Sequence, residues 1–217
     1  MIIAEPTKFG TGVSLFGDYW DLRSLHDTVC HLGEGAPLSE NMSEFVFGLA
    51  DDIEQAFQKG RETRVFGDNK YDKVTYCGLS VVWPTFLFTV GLLHWSAGFR
   101  EVSKDHQADL YRLSACVEDA LIAYEPAVGK ICFQWCEKFS EYSKTYSPQF
   151  VSHIALNYVS GKPGKPRFAK LPEFLQMLSP SSPEYKSFAD HMAKIAKENK
   201  CSPEDIEYLV EWPKFKW

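Results

Sequence analysis

The sequence predicts an α+β fold: two β-hairpins forming a small antiparallel sheet packed by helices, followed by an all-helical C-terminal half. Three observations carry that expectation. Two pairs of β-prone runs lie before residue 83, each pair flanking a stretch rich in turn formers. Apolar residues recur at helical spacing between residues 17 and 59, and again from residue 100 onward. Clusters of glycine and proline punctuate the chain between these runs. With 217 residues, 45% of them hydrophobic, the chain can bury roughly 70% of its unfolded surface without disulfide or metal staples. A single α+β domain over 1–217 is expected, with sheet and helices in 1–100 and a helical part in 101–217.

The first hairpin is expected from Ile2–Glu5 and Thr11–Phe16 around "PTKFG", because Val13 and Leu15 alternate with Gly12 and Ser14. Gly17-Asp18 then opens a helix to Leu32, which Gly33 and Gly35 should end. Ser43 is the expected N-cap of a second helix, about 43–59, whose Phe45, Leu49, Ile53, Ala56 and Phe57 repeat at helical spacing. Arg61–Phe66 and Lys73–Val82 flank "GDNKYD" and predict the second hairpin. Pro84 suits the first turn of the next helix, where its missing N–H leaves no bond unmade. Beyond residue 100, Leu110, Leu113, Val117, Leu121 and Tyr124 form one stripe, and Val128, Ile131, Trp135 and Phe139 another, with a break at Pro126. Helices near 148–160, 171–178 and 183–199 follow, then a last turn after Ser202-Pro203.

Val74–Phe99 contains no Asp, Glu, Lys or Arg, a length that could span a bilayer. Pro84, His94 and several Ser, Thr and Gly residues interrupt it, so it reads as the core of a soluble protein with no membrane association. The N-terminus lacks a basic, apolar leader. The six cysteines show no CxxC pair and read as reduced thiols in a cytoplasmic protein. The net charge is −6, and neither half is strongly basic, which argues against nucleic acid as a partner. The nearest basic stretch, "GKPGKPRFAK" at 161–170, reads as a solvated linker.

Residues 15–32, "LFGDYWDLRSLHDTVCHL", hold the densest group of reactive side chains. On a helical wheel Leu22, Leu25, Val29 and Leu32 mark the buried face, with His26 and Cys30 on one shoulder and His31 on the side opposite the core. The three ligand types therefore do not face one metal, and no metal or cofactor is expected. Asp18 and Asp21 suit a helix start, where a carboxylate accepts backbone N–H bonds and meets the positive end of the dipole. Cys132 and Cys136 read as small core hydrophobes. "WPTFLFTVGLLHWSAGF" places Trp83, His94 and Trp95, with their polar tips, in an apolar segment. No GxSxG, Walker, GxGxxG, HExxH or EF-hand pattern occurs.

The residues Gly10 and Gly12, Gly17-Asp18-Tyr19 with Asp21-Leu22, and Trp83-Pro84 make the first hundred residues resemble an uncharacterised bacterial protein family, a domain of unknown function. The resemblance implies a bacterial cytosolic origin and supplies no site residue. The leading expectation is a non-catalytic module that binds a protein partner or itself, given the missing catalytic motifs and the many Tyr and Trp residues that anchor interfaces. The alternative is a small-molecule hydrolase or transferase with its site between the first helix and the Trp83–Trp95 helix. Its catalytic candidates are Asp18, Asp21, His26 and His94, and its ligand-contacting aromatics are Tyr19, Trp83 and Trp95.

Overall fold

The computed structural model describes residues 1–217 except 68–72, 139–145, 203–205 and 207–210. Strands β1 (Ile3–Pro6) and β2 (Gly12–Gly17) form the first hairpin, and β3 (Glu62–Phe66) and β4 (Val74–Val82) the second. The hairpins join through an antiparallel β2–β4 pairing, giving the order β1-β2-β4-β3. Most of "GDNKYD", the turn expected in the second hairpin, lies outside the described residues. The first turn closes on the Thr7 hydroxyl, which accepts from Thr11 N (3.1 Å) and Gly12 N (2.9 Å). Gly10 adopts φ 63° within it, a conformation that disfavours side chains.

Val13, Leu15 and Leu79 put one face of the sheet into the hydrophobic core, which the α1 (Tyr19–Gly35), α2 (Glu40–Lys59) and α3 (Trp83–Ser96) helices share. The other face is mixed: Glu5, Ser14, Glu62, Arg64 and Ser80 share it with Ile3, Phe16, Phe66 and Tyr76. The Ser14 and Ser80 hydroxyls bond across strands at 2.7 Å, and Glu62 accepts from Ser80. Phe16 lies over its cross-strand partner Gly78, where a Cβ would sit 2.4 Å from the ring. The Arg64 guanidinium covers the ring's other side at 4.0 Å while pairing with Glu5. Phe16 is thereby fully buried on the mixed face, beside the Phe66–Tyr76 ring pair.

The C-terminal half contains α4 (Lys104–Tyr124), α5 (Pro126–Glu137), α6 (Ser147–Ser160), α7 (Lys165–Phe168), α8 (Leu171–Met177) and α9 (Pro183–Asn199). The fold is α+β, as the sequence predicts. Phe139 and the turn expected after Ser202-Pro203 fall in or against segments outside the described residues. Among the described residues, no helix is long and apolar enough to cross a membrane.

Several local expectations need correction. Helix α1 does not stop at Leu32 but runs through Gly33 and Gly35. A Cβ on Gly33 would meet Val46 Cγ1 at 2.8 Å, so this glycine permits close approach of α2 rather than ending the helix. Helix α2 begins a turn earlier than expected: Ser39, not Ser43, is its N-cap and accepts from Met42 N. In α5 the buried face is rotated from the expected stripe. Ile131 is 55% exposed, while Cys132, Trp135 and Cys136 are buried. A Cβ on Gly129 would lie 2.5 Å from Leu121 O, so the small residues of α5 face α4 and turn Ile131 outward.

The largest correction concerns 161–170. Arg167 is not solvated but 3% exposed. Its Nη1 donates to Thr11 Oγ1 (2.5 Å), and its Nη2 to Val159 O (2.7 Å) and Gly161 O (2.9 Å). Gly164 N donates to Phe9 O at 2.7 Å, and the Tyr158 hydroxyl donates to Gly10 O. The turn of the first hairpin is thus clamped to the end of α6 and the start of α7. Removing a buried cationic donor leaves several acceptors dry, a loss of about 3 kcal/mol or more. Urea denaturation should show a loss of that size for Arg167→Ala. Arg167→Lys should recover less than half of it, because a single ammonium cannot span both sets of acceptors.

Candidate functional site

The acidic start of α1 serves its backbone. Asp18 is the N-cap, accepting from Trp20 N (2.8 Å) and Asp21 N (2.9 Å), and Asp21 accepts in return from Asp18 N (3.4 Å). Asp21 also pairs with the Met1 ammonium. His26 sits beside Asp27 (3.2 Å) and Cys30 (3.6 Å), all three on the same helix, with its ring edge toward Phe57. These groups do not enclose a cleft with α3.

Helix α3 carries its candidates away from that point. His94 Nε2 donates to Ser114 Oγ at 2.6 Å, since the Ser114 proton already goes to Leu110 O. It lines a surface groove of 510 Å³ with Leu110 and Tyr111. Trp83 is fully buried at the opposite end of α3 against Phe168, about 18 Å from Trp95 at the rise of an α-helix. Trp95 is half-buried against Phe99, and Tyr19 packs on Trp20 and Phe57 while accepting from Arg23. The expected pocket between the start of α1 and α3 is therefore not formed by these residues.

A different polar constellation, missed in the sequence, lies between α1 and α4. Ser24, Thr28 and His31, spaced i, i+4 and i+7 along α1, meet His106, Asp109 and Arg112 on the antiparallel α4. The buried Asp109 carboxylate accepts from Ser24 Oγ (2.5 Å), Thr28 Oγ1 (3.2 Å) and Arg112 Nη1 (3.0 Å). Thr28 gives its proton to Asp109, so its oxygen accepts from His106 Nδ1 at 2.9 Å. His31 Nε2 donates to Glu101 O (3.0 Å), and its ring stacks on His106 at 4.4 Å and 23°. His31 is thus not outward-facing, because α4 covers that flank of α1. Two polar stripes, each beside an apolar one, were the available signal, but nothing local shows that they face each other.

Chemically, this seam is a satisfied network rather than a relay. Ser24 points its proton at a carboxylate, and His106 bonds to Thr28 instead of to Ser24, so no base activates a nucleophile. Among the described residues, no three His, Cys, Asp or Glu side chains converge where a metal ion could be held. Burial pushes the Cys132 thiol up to about 12, far from a reactive thiolate. Burial also lowers the pKa of His94 and of His153, holding both toward neutrality in the folded chain.

Asp109→Ala should cost about 2–4 kcal/mol by leaving Ser24, Thr28 and Arg112 without their acceptor, measured by chemical denaturation. The imidazoles set a pH dependence. The unfolded chain takes up a proton near pH 6.5 that folded His94 resists, so its contribution is complete above that pH and is lost as pH falls toward the lower folded pKa. Thermal melts between pH 7 and pH 5 should therefore fall with acidification, and His94→Gln should flatten the slope.

No curated protein and no solved structure matches this chain. A family described as a domain of unknown function, DUF6904, matches residues 2–217. The match carries the relationship from the first hundred residues through the Arg167 clamp and the C-terminal helices. The chain belongs to the DUF6904 family.

Proposed function

We propose that this chain is a non-catalytic, self-associating module of the reducing cytoplasm, pairing with a second copy across the free edge of β3. The observation that carries this reading is the contrast between the two edges of the sheet. Edge strand β1 ends in Pro6 and is overlaid by α4, whose Cys116 thiol donates to Ile2 O at 3.2 Å. Strand β3 is exposed along nearly its whole length, contains no proline, and carries Val65 at 61% exposure. Its sequence, ETRVF, is self-complementary in one antiparallel register. A two-fold axis through Thr63 sets Glu62 of each copy opposite Arg64 of the other, whereas an axis through Arg64 would oppose like charges. Pairing would extend the sheet to twice its width, with register chosen by charge. The free state of all six thiols supports a reducing compartment.

The test is size-exclusion chromatography with light scattering on a charge-exchange series. The wild-type chain should dimerise, and Glu62→Arg or Arg64→Glu alone should yield folded monomers by circular dichroism, Arg64→Glu with a lower melting temperature because it uncovers Phe16 and faces Glu5. Mixing the two variants should restore a dimer, because each like-charged strand then meets its opposite. A wild-type chain that stays monomeric at every concentration, or a dimer indifferent to these charges, would overturn the reading.

A further inference from the structure

A groove of 280 Å³ lies where α2, β4, α3 and α6 meet, and none of the residues lining it belongs to β3. Its floor is apolar, with Leu49, Val81 and Phe86, and its polar lining is mostly acceptors, the Thr85 hydroxyl aside. Glu44 and Asp52 stand two turns apart on α2. The hydroxyl protons of Thr89 and Ser152 are already given to Thr85 O (3.0 Å) and Pro148 O (3.4 Å), so their oxygens offer lone pairs. Among the described residues, no Lys, Arg or His lines the groove. Asp52 is paired with Arg61 at 2.7 Å, but among the described residues none forms an ion pair with Glu44.

Gly48 adds an independent observation. It sits in the interior of α2, and a Cβ built on it would meet nothing within 4 Å. Glycine is the poorest helix former after proline, and here neither a positive φ nor a close neighbour requires it. What its missing side chain does is keep the groove open between Glu44 and Asp52.

We propose that this groove binds a small organic cation: a protonated primary amine on a short apolar body. The ammonium supplies three donors to a wall in which acceptors predominate, and places its charge beside Glu44, which has no ion-pair partner among the described residues. The apolar body lies over Val81 and Phe86 in the space that Gly48 leaves. The volume is near the lower end for small-molecule sites, which suits a ligand of six to ten heavy atoms, roughly.

Titration of the full chain with n-hexylamine, followed by amide chemical shifts, tests this, with n-hexanol as the neutral counterpart of equal length. Hexylammonium should give saturable shifts at Gly48, Leu49, Val81 and Thr89, and hexanol should bind about fivefold more weakly. Glu44→Gln should erase that preference. Gly48→Leu should abolish binding of both probes while leaving the melting temperature equal or higher, which separates a filled groove from a misfolded chain. Equal affinity for hexanol, binding that survives Gly48→Leu, or no saturable shift in the groove would each overturn the proposal.

Discussion

Most of the architecture hangs on a buried guanidinium that, among the described residues, has no carboxylate beside it. Arg167 places its N–H groups on the Thr11 hydroxyl and the backbone carbonyls of Val159 and Gly161. Charge in a low-dielectric interior is tolerated only when dipoles surround it, and here those dipoles come from two ends of the chain. The first hairpin's turn and the α6–α7 junction must both be in place before the cation is solvated. Thr11 extends the arrangement by donating onward to Lys216 O at 2.5 Å. A turn, a helix end and the last residues of the chain are thereby tied to one side chain.

The polar seam between α1 and α4 follows the same rule with the opposite charge. Asp109 is buried, and three donors from two helices meet it. Such networks fix the register of one helix against another, since sliding either by a residue would strand a carboxylate. The stacked His31 and His106 rings close the end of the seam. The reactive residue types are abundant in this chain, yet most imidazoles and carboxylates in the candidate region are bound to a helix terminus, a hydroxyl, a carbonyl or an ion-pair partner, and His26 contacts only Asp27, Cys30 and Phe57. This is why a dense run such as residues 15–32 yields a helix start rather than a centre of chemistry.

Features governed by neighbours within a few residues were legible in the sequence. The alternation of Val13 and Leu15, the Asp18 cap and the placement of Pro84 at the head of α3 are local, and the structure has them in those roles. What escaped reading depends on partners far along the chain. Arg167 stands among Gly, Pro and Lys, a composition that signals solvent, and its burial comes from Thr11, 156 residues away. Asp109 and Thr28 are separated by 81 residues, and His31 faces His106 only because α4 lies along that flank. A glycine that ends a helix and one that admits a neighbour look the same in one dimension, and Gly33 is of the second kind. The expected pocket failed for a geometric reason: Trp83 and Trp95 occupy opposite ends of a three- to four-turn helix.

The strand order β1-β2-β4-β3 has a consequence for how the chain assembles. The strands of each hairpin are near neighbours in sequence, but the seam between the hairpins must join Ser14 to Ser80 across 66 positions. Bringing distant segments together is entropically slow until other contacts shorten the intervening path. The intervening path contains α1 and α2, so docking of that helical pair would draw β2 toward β4. The middle of the sheet would then zip last, flanked by two ribbons already formed.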